Sequence, residues 1–117
     1  IGLSYYPWWQ GTLNDLQNNL NDLATLYGKE IIVVETAYPW TLSWNDNTNN
    51  LVGNSSQLLA GYPATAQGQK DFLVDLINIV NNTTNGKGVG DWNIFNDIVR
   101  KNNQEWETSH SIYVVLL

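Results

Sequence analysis

Cysteine is absent from this 117-residue chain, and so is methionine. Without thiols there is neither a disulfide framework nor a thiolate metal site, and the redox compartment is left open. Positive charge is scarce: five Lys and Arg residues against eleven Asp and Glu give a net charge of −6. The five, Lys29, Lys70, Lys87, Arg100 and Lys101, are scattered. No basic stripe exists to track a phosphate backbone, so nucleic acid is not an expected partner. No apolar run approaches the length that crosses a bilayer, and no membrane partner is expected either. Neither an initiator methionine nor a basic n-region precedes Ile1-Gly2-Leu3-Ser4-Tyr5, which suggests a start inside a domain.

What the chain does have is 43% hydrophobic residues, within the size of one ordinary domain, and six Trp with six Tyr. Flat aromatic faces with polar edges suit sugar rings as well as cores. Asparagine clusters in "NNLND", "NDNTNN" and "NNTTN" read as turns and helix surfaces. Asn54, Asn81 and Asn82 head N-x-S/T sequons, which have meaning only in a eukaryotic secretory setting.

Along the chain, "IGLSYYPWW" reads as a short strand broken by Pro7. Thr12, with an acidic residue three positions on, reads as a helix N-cap. Leu13, Leu16, Leu20, Leu23 and Tyr27 then give one apolar face, and Gly28 sits where a left-handed C-terminal residue is expected. Ile31 to Val34 is apolar at consecutive positions, the mark of a strand buried on both faces in a parallel sheet. A long polar connection from Trp40 to about Pro63 follows, of a length that tends to be functional or mobile. A second helix is expected over 66–82, with Phe72, Leu73, Leu76, Ile77 and Val80 as its buried stripe. "GKGVG" (86–90) lacks the features of a phosphate loop and reads as a turn leading towards another strand. Then "DWNIFNDIVRKNN" has helical spacing, and "SIYVVLL" is strand-like. This alternation points to a layered or barrel α/β fold, and a complete (β/α)8 TIM barrel takes ~250 residues, so the chain looks like a piece of one.

Working residues in parallel α/β folds gather at the carboxyl ends of strands. Glu35 closes the "IIVV" strand at that end. Simple alternation turns Ile32 and Val34 towards the helices and Val33 and Glu35 towards the barrel axis. Tyr6, at the same end of the first strand, is a natural hydrogen-bond donor to the carboxylate. The competing reading makes Glu35 a buried acid tied to an arginine or a backbone amide. Tyr5, Tyr6, Trp8 and Trp9 follow one strand, Tyr38 and Trp40 the other, and both groups contain Tyr-Pro-Trp. They rim a cleft or fill a core.

Taken together, "IGLSYYPWWQGTLNDL", "GKEIIVVETAYPWT" and "GYPATAQGQKDFLVDL" resemble the sixth and seventh strand regions and the next helix of the family 53 glycoside hydrolases. These are retaining endo-β-1,4-galactanases that act on arabinogalactan, with a TIM-barrel fold and no organic cofactor. The resemblance covers roughly residues 1 to 90. It implies that Glu35 is the catalytic nucleophile and Tyr6 the tyrosine that orients it. It also implies that Trp8 and Trp40 belong to the galactan-binding cleft; Tyr5, Trp9 and Tyr38, by their place after the two strands, are expected to contact galactan or arabinogalactan with them, and the full-length protein would be extracellular or periplasmic.

Two features depart from the family pattern. The acid/base glutamate of the family lies in an Asn-Glu pair after the fourth strand, and Glu30, Glu105 and Glu107 have no such context. Residues 91–117 show no Tyr-Trp-Glu-Pro run and read as a divergent tail, explained by a frame change near Gly90 or a chimeric end. The expected division is therefore 1–90, partial hydrolase barrel, and 91–117, tail. The expectation is a galactanase fragment that is inactive alone. The rival expectations are a non-catalytic carbohydrate-binding module and a truncated product with exposed sheet edges. "SWNDNTNN" offers Asp46 with amide oxygens as a weak Ca²⁺ candidate against a plain polar loop. The sole histidine, His110, reads as a surface residue. No oligomeric state follows from these patterns.

Overall fold

The computed structural model describes residues 1–43 and 50–90, and places 114–116 in a strand. The order is β1 (Gly2–Tyr5), α1 (Pro7–Gln10), α2 (Leu13–Tyr27), β2 (Ile31–Thr36), a 3₁₀ turn (Ser55–Gln57), α3 (Ala66–Asn82), β3 (Gly86–Gly90) and β4 (Val114–Leu116). The sheet runs β1-β2-β3-β4. The first three strands are parallel, and β4 lies antiparallel to β3. No described helix is long and apolar enough to cross a membrane.

The helix ends follow from short-range chemistry. Thr12 Oγ1 accepts from the Asp15 N–H at 3.2 Å, and Asp15 Oδ2 accepts from the Thr12 N–H at 2.8 Å, a complete capping box. The Thr12 hydroxyl, which donates to Asp15 Oδ2 at 2.7 Å, and then the Thr12 N–H hold the Asp15 carboxyl below its ordinary pKa. Gly28 closes α2 in the left-handed region at φ 57°, where a side chain is disfavoured. Pro7 opens α1 where its missing N–H costs nothing. The Thr65 hydroxyl caps α3 by accepting from the Gly68 N–H at 3.0 Å.

One face of the sheet carries the core. Ile31, Val33 and Val89 pack with Leu13, Leu16, Leu20 and Ala24 of α2 and Phe72, Leu73, Leu76 and Val80 of α3. Leu23 and Ile77 pack partly buried against this cluster, whereas Tyr27, expected on the buried stripe of α2, is 60% exposed. The expected orientation of β2 is therefore reversed over its first half: Val33 faces the helices, and Ile32 and Val34 are the half-buried residues of the other face. The reason is a register shift. Leu3 pairs with Val33, but Ser4 pairs with Glu35, so Val34 is an extra residue in β2. Such a bulge puts two consecutive side chains on one face and resets the alternation beyond it.

The run "GKGVG" corrects a second expectation: it is not a turn but strand β3, parallel to β2. A Cβ on Gly86 would lie 1.9 Å from the Val80 carbonyl oxygen, so only glycine admits the close approach of α3 to the strand's first residue. Val89, 2% exposed, supplies this strand's share of the core.

Candidate active site

The carboxyl ends of β1 and β2 lie side by side, and Glu35 is gripped there by two hydroxyls. Tyr6 Oη donates to Glu35 Oε1. Ser4 Oγ donates to Glu35 Oε2 at 3.1 Å. Ser4 and Tyr6 are two residues apart on β1 and its end, so strand alternation directs both to one face. Leu3 and Tyr5 take the other, where they meet the core. The bulge at Val34 brings Glu35 onto the Ser4 face.

The competing reading of Glu35 as half of an ion pair has no support among the described residues. The ion pair found there is Lys87 Nζ to Glu30 at 3.6 Å, at the opposite ends of β2 and β3. Glu35 is half-buried, able to accept hydrogen bonds and to remain open to a ligand.

A glutamine that the sequence reading did not single out braces this arrangement. The Gln10 carboxamide oxygen accepts from the Tyr6 N–H, and its nitrogen donates to the Ser4 carbonyl at 2.9 Å. Ser4 was also missed. The signal for it was available: it lies two positions before Tyr6 on an alternating strand.

The aromatic candidates divide. Tyr6, Trp8 and Trp9 form one cluster, with ring centroids 5.3 to 5.7 Å apart. Trp9 is 67% exposed and Trp40 41%. Trp8 is half-buried and packs against the core, with its indole N–H buried and without an acceptor among the described residues. Tyr5 and Tyr38, expected on the cleft, are instead core residues at 1% and 0% exposure. The Tyr5 hydroxyl donates to the Gly11 carbonyl at 2.9 Å, and burial above all raises its pKa. Tyr38 stacks on Phe72 at 4.3 Å between ring centroids. Its hydroxyl donates to the Tyr62 carbonyl at 2.7 Å and accepts from the Leu59 N–H at 3.0 Å. It thus pins the long connection after β2 to α3, and its phenol is held above the ordinary pKa chiefly by burial. Asp46 with its neighbouring amides, Glu105, Glu107, His110 and the helical spacing after Gly90 lie outside the described residues.

A carboxylate oriented by hydroxyls at the carboxyl end of a parallel strand, with the exposed Trp9 packed on the tyrosine that grips it, is an arrangement suited to a sugar. Comparison with known proteins is direct. The family model for Glycosyl hydrolase family 53 matches residues 1–113. The chain belongs to glycosyl hydrolase family 53.

It is 47% identical over 110 residues to an uncharacterized protein of the bgaB 5′ region of Niallia circulans, covering 94% of this chain and 30% of the relative. It is 41% identical over 90 residues to the endo-beta-1,4-galactanase of Bacillus subtilis, covering 76% of this chain and 21% of the relative. The family 53 catalytic domain of Ignisphaera aggregans superposes with a TM-score of 0.69 at 37% identity, over 79% of this chain and 26% of that domain. The chain thus spans about a quarter of the length of these proteins. Its fold is accordingly a segment of the family's TIM barrel, and its parallel β1, β2 and β3 are successive strands of that architecture. The family match also runs past residue 90, where the sequence pattern placed a boundary, to residue 113.

Proposed function

We propose that this chain is the part of a retaining endo-β-1,4-galactanase that carries the nucleophile, acting on β-1,4-galactosyl linkages of galactan or arabinogalactan. The observation that carries this reading is the Glu35 carboxylate held by the Ser4 and Tyr6 hydroxyls at the end of β2. Glu35 attacks the anomeric carbon while the glycosidic C–O bond breaks, and the leaving oxygen takes a proton from a second carboxyl group. Water then hydrolyses the glycosyl ester, with that second group now acting as base. Among the described residues no other carboxylate serves as the second group, since Glu30 is committed to Lys87 at the far end of the sheet. We infer that it lies outside this chain, because none of Glu30, Glu105 and Glu107 stands in the family's Asn-Glu context, and that the chain by itself does not hydrolyse galactan. Trp9 and Trp40 offer faces on which galactosyl rings stack, with Trp8 behind Trp9. Because a polysaccharide substrate is too large to enter a cell, the full-length enzyme works outside the cytoplasm.

The test uses the complete enzyme. Glu35→Gln should abolish release of reducing ends from galactan. Glu35→Ala given azide and an aryl β-galactobioside should release the aryl oxide and form the α-galactobiosyl azide, since azide replaces the missing carboxylate on the same face. Hydrolysis that persists in Glu35→Gln overturns the assignment. The exposed Trp9 favours a second reading, a sugar-binding module without catalysis. That reading wins if the complete protein binds galacto-oligosaccharides, loses binding in Trp9→Ala, and shows no hydrolysis that depends on Glu35.

A further inference from the structure

We propose that Ser4 is a positioning residue for the nucleophile, fixing the rotation of the Glu35 carboxylate about its own Cγ–Cδ bond. The inference rests on the reading of Glu35 given above. A carboxylate held by one donor swings about that contact, because a terminal sp³–sp² torsion has broad wells. Here the two oxygens have separate donors: Tyr6 Oη holds Oε1, and Ser4 Oγ holds Oε2. Both donors come from one face of one strand, so their spacing is set by backbone geometry rather than by flexible chains.

The strand end is itself braced. Gln10 bonds the N–H of Tyr6 and the carbonyl of Ser4, so the two donors move as one body with α1. In the reaction only one oxygen of Glu35 forms the new bond to the anomeric carbon, and the other becomes the carbonyl oxygen of the ester. Each oxygen must therefore present a fixed direction, and a two-point grip supplies it before substrate arrives. Hydroxyls suit the task because they donate without adding charge and stay bonded as the carboxylate becomes an ester.

The test is a set of variants in the complete enzyme. Ser4→Ala should lower kcat on galactan about tenfold, as expected for one hydrogen bond to a charged group. KM should not change, since Ser4 touches the nucleophile and not the sugar. Ser4→Thr keeps the hydroxyl and should restore most of the rate. The inference is overturned if Ser4→Ala keeps the full kcat, if the loss appears in KM, or if Ser4→Thr is as slow as Ser4→Ala. Glu35→Gln run alongside separates the causes. If it is inactive while Ser4→Ala is unaffected, only the role of Ser4 falls. If Glu35→Gln remains active, the assignment of the nucleophile falls with it.

Discussion

The chain contains the tripeptide Tyr-Pro-Trp twice, at 6–8 and 38–40, each time just beyond a parallel strand, and the two copies meet opposite fates. Tyr6 stands on the open face, half-buried, and gives its hydroxyl to Glu35. Tyr38 is fully buried and gives its hydroxyl to the backbone of the connection it anchors. Pro7 starts a helix that carries Trp8 and Trp9, whereas Pro39 lies in a stretch without regular structure. The lesson concerns phase. Tyr6 is in step with Ser4 on β1, which has no inserted residue. Tyr38 is in step with Thr36, and the bulge at Val34 has turned that series towards the helices. One inserted residue decides which tyrosine meets Glu35 and which meets Phe72.

The largest effect that sharpens this contrast is on stability. Tyr38→Ala should cost about 3–5 kcal/mol in urea unfolding, as expected for emptying a fully buried aromatic site. Tyr38→Phe keeps the ring but orphans the Leu59 N–H and the Tyr62 carbonyl, and should cost about 1–3 kcal/mol. Tyr6→Phe should cost about 1 kcal/mol or less while slowing the complete enzyme. Equal stability losses at the two tyrosines would break the comparison.

The next effect is on pH dependence, through the neighbour that Tyr38 holds in place. Burial first, and then its hydrogen bond to Asp75 at 2.7 Å, push the Tyr62 phenol up to about 12. A raised folded-state pKa contributes stability that is complete below the unfolded value of about 10 and is lost as pH rises through the folded value. Stability should therefore fall away between roughly pH 10 and about 12, and Tyr62→Phe should flatten part of that limb. An identical pH profile in the variant would contradict the burial argument.

The smallest stability effect is expected at the exposed end of the first copy. Trp9→Ala should leave unfolding within about 0.5 kcal/mol of the parent, because the side chain is 67% exposed. It should nevertheless weaken galacto-oligosaccharide binding, followed by quenching of Trp fluorescence. A large loss of stability with unchanged binding would place Trp9 with Tyr38, on the structural side of the contrast.

Sequence alone determined the elements whose signals are local. The capping box at Thr12 and Asp15, the left-handed end at Gly28, the bounds of α3 and the acid that closes β2 all rest on residues within a few positions of one another, where periodicity and capping chemistry operate. The bond from Tyr6 to Glu35 was also legible, since both residues end neighbouring parallel strands. Tertiary structure alone decided the faces. The bulge at Val34 exists only because β2 pairs with β1, and it set Glu35 on the open side and Tyr38 in the core. The same holds for "GKGVG", which is a strand because β2 offers it hydrogen bonds and α3 tolerates no Cβ at Gly86. It holds also for Ser4, whose meeting with a carboxylate 31 residues away belongs to the paired sheet. Side-chain direction along a strand has a period of two, so a single inserted residue, set by pairing partners far along the chain, reverses every position that follows it.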